Sequence, residues 1–184
     1  ALWGTAGETG TWGTSAFWTT DSAGNFSDGG VLVTTSADVL RINSGNVSGF
    51  TMSVSGDVHA QRLLSAASAA ATVTTINNDG GGIIHLYGVG IGTPAYNGDG
   101  GNSPITINAP IVLEQAASSI VYLGTGGGNQ GSTTIAGGIT SINSVNLYFG
   151  RVHSTAVSGG SVNITGTINC AVPYNNLREF GATI

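Results

Sequence analysis

The sequence predicts an all-β chain and, within that class, an irregular parallel β-solenoid. Three observations lead there. First, apolar residues recur at period two in short segments rich in Val, Ile, Thr and Tyr, the residues that suit a pleated surface. Second, the corners between segments are short: in "PITINAPIVLE" (104–114) only Ala109 separates two strand-like runs, and the chain bends at Ala109–Pro110. So tight a corner fits a change of solenoid face better than a hairpin. Third, Asn-Gly and Asp-Gly hairpin turns do not alternate with the segments, and the residues expected outside are uncharged Ser, Thr and Asn. No exact repeat of about 20 residues is visible, so the rungs are expected to be irregular.

In chain order the expected strands are 29–35, 38–43, 50–54, 57–64, 71–76 and 82–87, then 104–108, 110–114, 119–123, 133–140, 145–149 and 161–165. Gly, Asn, Ser and Asp separate them, as corners require. Only "AQRLLSAASAAA" (60–71) has helix-forming composition; it is Ser-rich and lacks a cap, which argues against a long helix. Residues 1–30 read as a Trp-rich arm or cap, holding Trp3, Trp12 and Trp18 with Phe17 and Phe26. Residues 31–184 read as the solenoid with a C-terminal strand segment.

Composition narrows the function. Hydrophobic residues are 40%, so a core can form, but charged residues are only 7%, against about 25% in an ordinary soluble domain. That surface fits a secreted protein of the cell surface or matrix, or one that packs against its own copies. Ala1 is the kind of small residue that signal cleavage leaves, which agrees with a processed, secreted form. The basic residues are Arg41, Arg62, Arg151 and Arg178, and lysine is absent. Lysine isopeptide and Schiff-base chemistry are thereby excluded. Four scattered arginines at a net charge of −5 do not make a nucleic-acid track. No apolar run approaches the roughly 18 residues of a membrane span, so membrane insertion is not expected. Cys170 stands alone in "TINCAV" and reads as a buried small hydrophobe.

Three stretches resemble a known family. "GTWGTSAFWTTDSAGNFSDGGVLV" (10–33) is similar to the tryptophan-bearing entry of bacterial autotransporter-associated β-strand-repeat proteins of the passenger type. "NSPITINAPIVLEQAASSIVYLG" (102–124) and "TTIAGGIT" (133–140) resemble their later rungs. The resemblance implies a right-handed parallel β-solenoid on a bacterial surface, with no catalytic residues to carry over. The family's regular Leu-x-Leu-x-Gly-x-Asn repeat is absent here.

The search for chemistry is mostly negative. The nine carboxylates lie singly, whereas a glycosidase needs two that face each other. "DVH" puts Asp57 and His59 on one strand face, as half a metal site, an acid–base pair or a plain surface hydrogen bond. In "GIIHLYG", Ile83, His85 and Tyr87 share a face opposite Ile84 and Leu86. No Cys/His spacing suggests zinc, and "GTGGGNQGS" (124–132) lacks the lysine of a phosphate loop. Calcium is the one cofactor to consider. Its candidate ligands are Asp79 in "NNDGGG" (77–82), and Asn97 and Asp99 in "YNGDGGN" (96–102). One carboxylate per loop is little charge for it. Asn25, Asn46 and Asn163 head glycosylation sequons. The Thr-x-Thr pairs Thr72/Thr74 and Thr165/Thr167 form no ladder, which argues against ice binding.

The function expected is therefore structural: a subunit of an extracellular filament, joined head to tail by strand addition or solenoid stacking. Trp3, Trp12, Trp18, Phe17 and Phe180 are the aromatics expected to mediate contact with other copies. The alternatives are an adhesin that binds a glycan or host surface, and a β-helix polysaccharide lyase.

Overall fold

The computed structural model describes residues 2–5, 9–12, 18–19, 33–43, 50–65, 74–88, 90–92, 105–126, 133–152, 162–170 and 178–179. Every regular element among them is a β-strand. The first three are β1 (Leu2–Thr5), β2 (Thr9–Trp12) and β3 (Trp18–Thr19). Successive triplets follow: β4 (Val39–Asn43), β5 (Phe50–Val54) and β6 (Val58–Ala60), then β7 (Arg62–Ser65), β8 (Thr74–Asn78) and β9 (Ile84–Leu86). Next come β10 (Gly90–Gly92), β11 (Ile105–Ile107) and β12 (Ile111–Leu113), then β13 (Ile120–Gly126), β14 (Thr133–Ile135) and β15 (Ile139–Ser141). The last are β16 (Asn146–Val152), β17 (Val162–Ile164), β18 (Ile168–Asn169) and β19 (Arg178–Glu179).

These strands form three sheets by a single rule: from β4 onward, each strand pairs in parallel with the strand three places further along the chain. Sheet A runs β1, β4, β7, β10, β13, β16, β19; sheet B runs β2, β5, β8, β11, β14, β17; sheet C runs β6, β9, β12, β15, β18. One pairing is antiparallel, β1 with β3 at the edge of sheet A. Residues of the expected N-terminal arm or cap lie partly inside the sheets, with β1 beside β4 and β2 beside β5.

Alternation explains each strand. In β11, Ile105 and Ile107 point inward and Thr106 outward, and both isoleucines are buried. Parallel register stacks like on like. Met52, Ile76, Ile107 and Ile135 form one inward column of sheet B. Val58, Ile84, Ile111 and Ile139 form one in sheet C. With Leu40, Leu63, Val121 and Leu147 of sheet A they make a single core cluster. Each fully buried Ile or Leu contributes about 1.5–3 kcal/mol. Trp12 and Thr34 close the core near its β2 end, the indole Nε1–H donating to Thr34 Oγ1 at 2.8 Å.

The corner from sheet B to sheet C is short: Ser55–Gly56–Asp57, Asn108–Ala109–Pro110, Ala136–Gly137–Gly138 and Thr165–Gly166–Thr167 each fill one. The main-chain ladder continues through it. Asn108, Ala136 and Thr165 donate to the carbonyls of Ile76, Ile107 and Ile135 at 2.8, 2.8 and 3.0 Å. Ile84, Ile111 and Ile139 then donate to Pro110, Gly138 and Thr167 at 2.9, 3.0 and 2.9 Å. Successive corners pack so closely that a Cβ at Gly137 would overlap the Ala109 carbonyl, and one at Gly166 would overlap the Gly138 nitrogen.

Three expected strands differ in detail. "DVHAQRLL" is two strands, broken at Gln61, whose N–H turns to the Asp38 carbonyl at 2.8 Å. "TTIAGGIT" is likewise two, split by the 136–138 corner. Residues 33–35, the described end of "GGVLVTT", form no strand, because Thr34 turns inward to Trp12. The helix-like composition of 60–71 gives way to strand at Arg62–Ser65, where Leu63 joins the core. Among the described residues no helix is long and apolar enough to cross a membrane.

The corner packing makes a direct prediction. Gly137→Ala must push two main-chain segments apart and is expected to lower stability by about 1–3 kcal/mol in urea denaturation. Thr140→Ala, exposed beside it, is expected to stay within about 0.5 kcal/mol of the wild type.

Candidate functional site

The densest group of titratable side chains among the described residues lies on the outward side of sheet C. His59 of β6 and His85 of β9 are register partners, so their rings stack, with centroids 4.9 Å apart and planes 27° from parallel. Each sits between two inward residues, Val58 and Ala60 or Ile84 and Leu86, and this alternation is what turns it outward. Glu114 follows β12 and reaches back to His85, with Oε1 2.6 Å from Nδ1. An ionised carboxylate only accepts, so that Nδ1 carries the proton. On its other side His85 Nε2 is buried, 3.8 Å from Asp57 Oδ2. Tyr87 completes the group, its hydroxyl 3.1 Å from His59 Nδ1. Burial, and then the negative charge of Glu114, push the Tyr87 phenol above its ordinary value.

The arrangement is a chain of contacts across three successive strands, Tyr87 to His59, His59 on His85, His85 to Glu114. Chemically it pairs an oriented imidazole with a carboxylate, but the other nitrogen of that imidazole is buried, 3.8 Å from Asp57 Oδ2. Among the described residues no group of three or more His, Cys, Asp and Glu is arranged to hold a metal ion. Asp57 and His59, read from the sequence as one pair, serve different partners: Asp57 lies toward His85, and His59 bonds Tyr87. Glu114 was not singled out from the sequence. It lies 29 residues from His85 in the chain, and the strand register alone brings them together.

No family model matches the chain, and comparison with curated proteins and with solved structures returned no match.

The other expected site residues fall as follows. Asp79 is exposed in the corner after β8 and takes a hydrogen bond from the Ser53 hydroxyl. Its neighbour Asn78 accepts from the Gly81 N–H at 3.0 Å, closing the corner as an Asx turn. Asn97 and Asp99, the other calcium candidates, lie outside the described residues, as do Phe17, Phe180, Asn25 and Asn46. Asn163 is exposed on β17. Trp3 lies on β1 and Trp18 on its partner β3, at the edge of sheet A. Trp12, expected to contact other copies, is instead a core residue, 1% exposed. Cys170 packs against the core, half-buried. Burial pushes its thiol up, against hydrogen bonds to Ser141 that pull it down.

The raised phenol of Tyr87 is measurable. In an alkaline ultraviolet titration, the difference between wild type and Tyr87→Phe is expected to show a phenol ionising above about 10. Glu114→Gln is expected to bring it part of the way back. The sign for stability follows: the folded state keeps this proton longer than the unfolded chain. Stability present below the unfolded value is therefore lost as the pH rises to the folded one. A Tyr87 that ionises at or below the ordinary value contradicts the geometry.

Proposed function

We propose that the chain is a right-handed parallel β-solenoid and that it serves as a subunit of an extracellular filament, joined to its own copies head to tail. Three sheets built by pairing each strand with the third one after it support the solenoid. The right hand follows from the strong preference of parallel β-crossovers for that sense. The low charge, 7% of residues, supports an extracellular structural setting.

The observation that carries the filament is the end of the sheet C column. Ile84, Ile111 and Ile139 are 0–1% exposed because a further strand covers each of them. Ile168, the next member in register, is 41% exposed. Among the described residues, β17 and β18 each have one strand partner, β14 and β15. Near Trp12 and Thr34, at the opposite end of the core, Val33 is 74% exposed. An apolar column exposed at its last described member, beside a strand with one described partner, is a template for pairing. Such pairing between two different ends does not close on itself and grows into a filament.

Sedimentation velocity over a concentration series, with negative-stain microscopy, tests this. The wild type is expected to grow into fibres as concentration rises, and Ile168→Glu to remain monomeric. A wild type that stays monomeric at every concentration, with or without calcium, contradicts the proposal.

A further inference from the structure

The outward face of sheet B carries an ordered array that the sequence reading of isolated Thr-x-Thr pairs did not anticipate. The ladder is built from one threonine per strand. Thr51, Thr75, Thr106 and Thr134 are register partners on β5, β8, β11 and β14, and Asn163 of β17 extends the file. Two residues further along the strands runs a second file. Ser53 and Asn77 are partners, and Asn108 stacks next, its Nδ2–H donating to Asn77 Oδ1 at 2.9 Å. The array is therefore two-dimensional rather than a single stripe.

Its register is firmly held. Met52, Ile76, Ile107 and Ile135 lie between the two files on the inward side, and all four are 0% exposed. A slip of one residue on any strand would bury its threonine and expose its partner in the core. Members of a file therefore repeat at about 4.7–4.9 Å, the strand spacing, and the files lie about 6.6–6.8 Å apart, two residues of rise. Neither file contains a charged residue.

The two files differ in how their polar groups are used. Ser53 donates to Asp79, and Asn108 donates to Asn77, so the second file is fixed by protein partners. The four threonine hydroxyls of the first file have no protein partner among the described residues. Each hydroxyl can donate once and accept twice, and each stands beside a methyl group. Water must satisfy this row of hydroxyls, and the methyls and the neighbouring file restrict where that water can sit. The strand repeat lies close to the shortest lattice repeat of hexagonal ice.

We propose that the outward face of sheet B binds ice. The ligand is the crystal surface itself, recognised through a layer of ordered water rather than through charge. The proposal is independent of filament formation, since one chain carries the whole array.

The test is ice growth in a nanolitre osmometer, with partition of the protein into a slowly growing ice hemisphere. The wild type is expected to facet the crystals and to enter the ice. Thr75→Lys and Thr106→Lys, in the middle of the array, are expected to lose both effects. Thr140→Lys, on sheet C, is expected to keep them. Circular dichroism establishes that each variant is folded, and the wild-type result stands without any variant. Round, unshaped crystals and exclusion of the wild type from ice overturn the proposal. So does equal ice shaping by the wild type and a folded Thr106→Lys.

Discussion

The corner between sheets B and C constrains everything else. At Gly137 and Gly166 successive corners approach so closely that no side chain fits between them. That contact, with main-chain hydrogen bonds on either side of the corner, fixes where each strand of sheet B ends and the next strand of sheet C begins. The register on both sheets follows. Like residues then stack on like, inward as columns of Ile, Leu and Val, outward as files of Thr, Asn and His. The core and both candidate surfaces are consequences of one packing constraint.

Part of this was legible in the sequence. Period-two segments with β-branched residues became strands, and the corner at Ala109–Pro110 falls where the sequence places it, with Ala109 buried. The parallel pairing was anticipated from the shortage of hairpin turns. The repeat was not legible, for a physical reason. In sheet C, the partners Val58, Ile84, Ile111, Ile139 and Ile168 are separated by intervals that lengthen by one residue at each step. Four of the five B–C corners are three residues long, whereas the stretches joining sheet A to sheet B differ in length. "AYNGDGGNSP" (95–104), with its calcium candidates Asn97 and Asp99, falls in one such stretch and lies outside the described residues.

The surfaces were less legible than the fold because they depend on register. His59 and His85 were each visible as outward residues of a strand, but their stacking requires knowing that β6 and β9 are neighbours. Glu114 looked like one of nine scattered carboxylates until the third strand brought it to His85. The threonine array shows the same limit. Thr-x-Thr pairs within a strand are easily read, whereas a file with one threonine per strand has no local signature. Trp12 shows the converse. Its place in a Gly- and Thr-rich segment suggested a cap or a contact with another copy, but pairing with β5 carries that segment into the sheet and the indole into the core.

The register rule is tested most directly by cysteine cross-linking in a Cys170→Ser background. Thr75→Cys with Thr106→Cys places two thiols on directly opposed positions of β8 and β11. Thr75→Cys with Asn108→Cys places them two residues out of register on the same face, beyond the roughly 7 Å that a disulfide spans between Cα atoms. Under mild oxidation, with intramolecular bridges read by mass spectrometry, the first pair is predicted to cross-link and the second to remain reduced. A bridge in the second pair with none in the first would contradict the account.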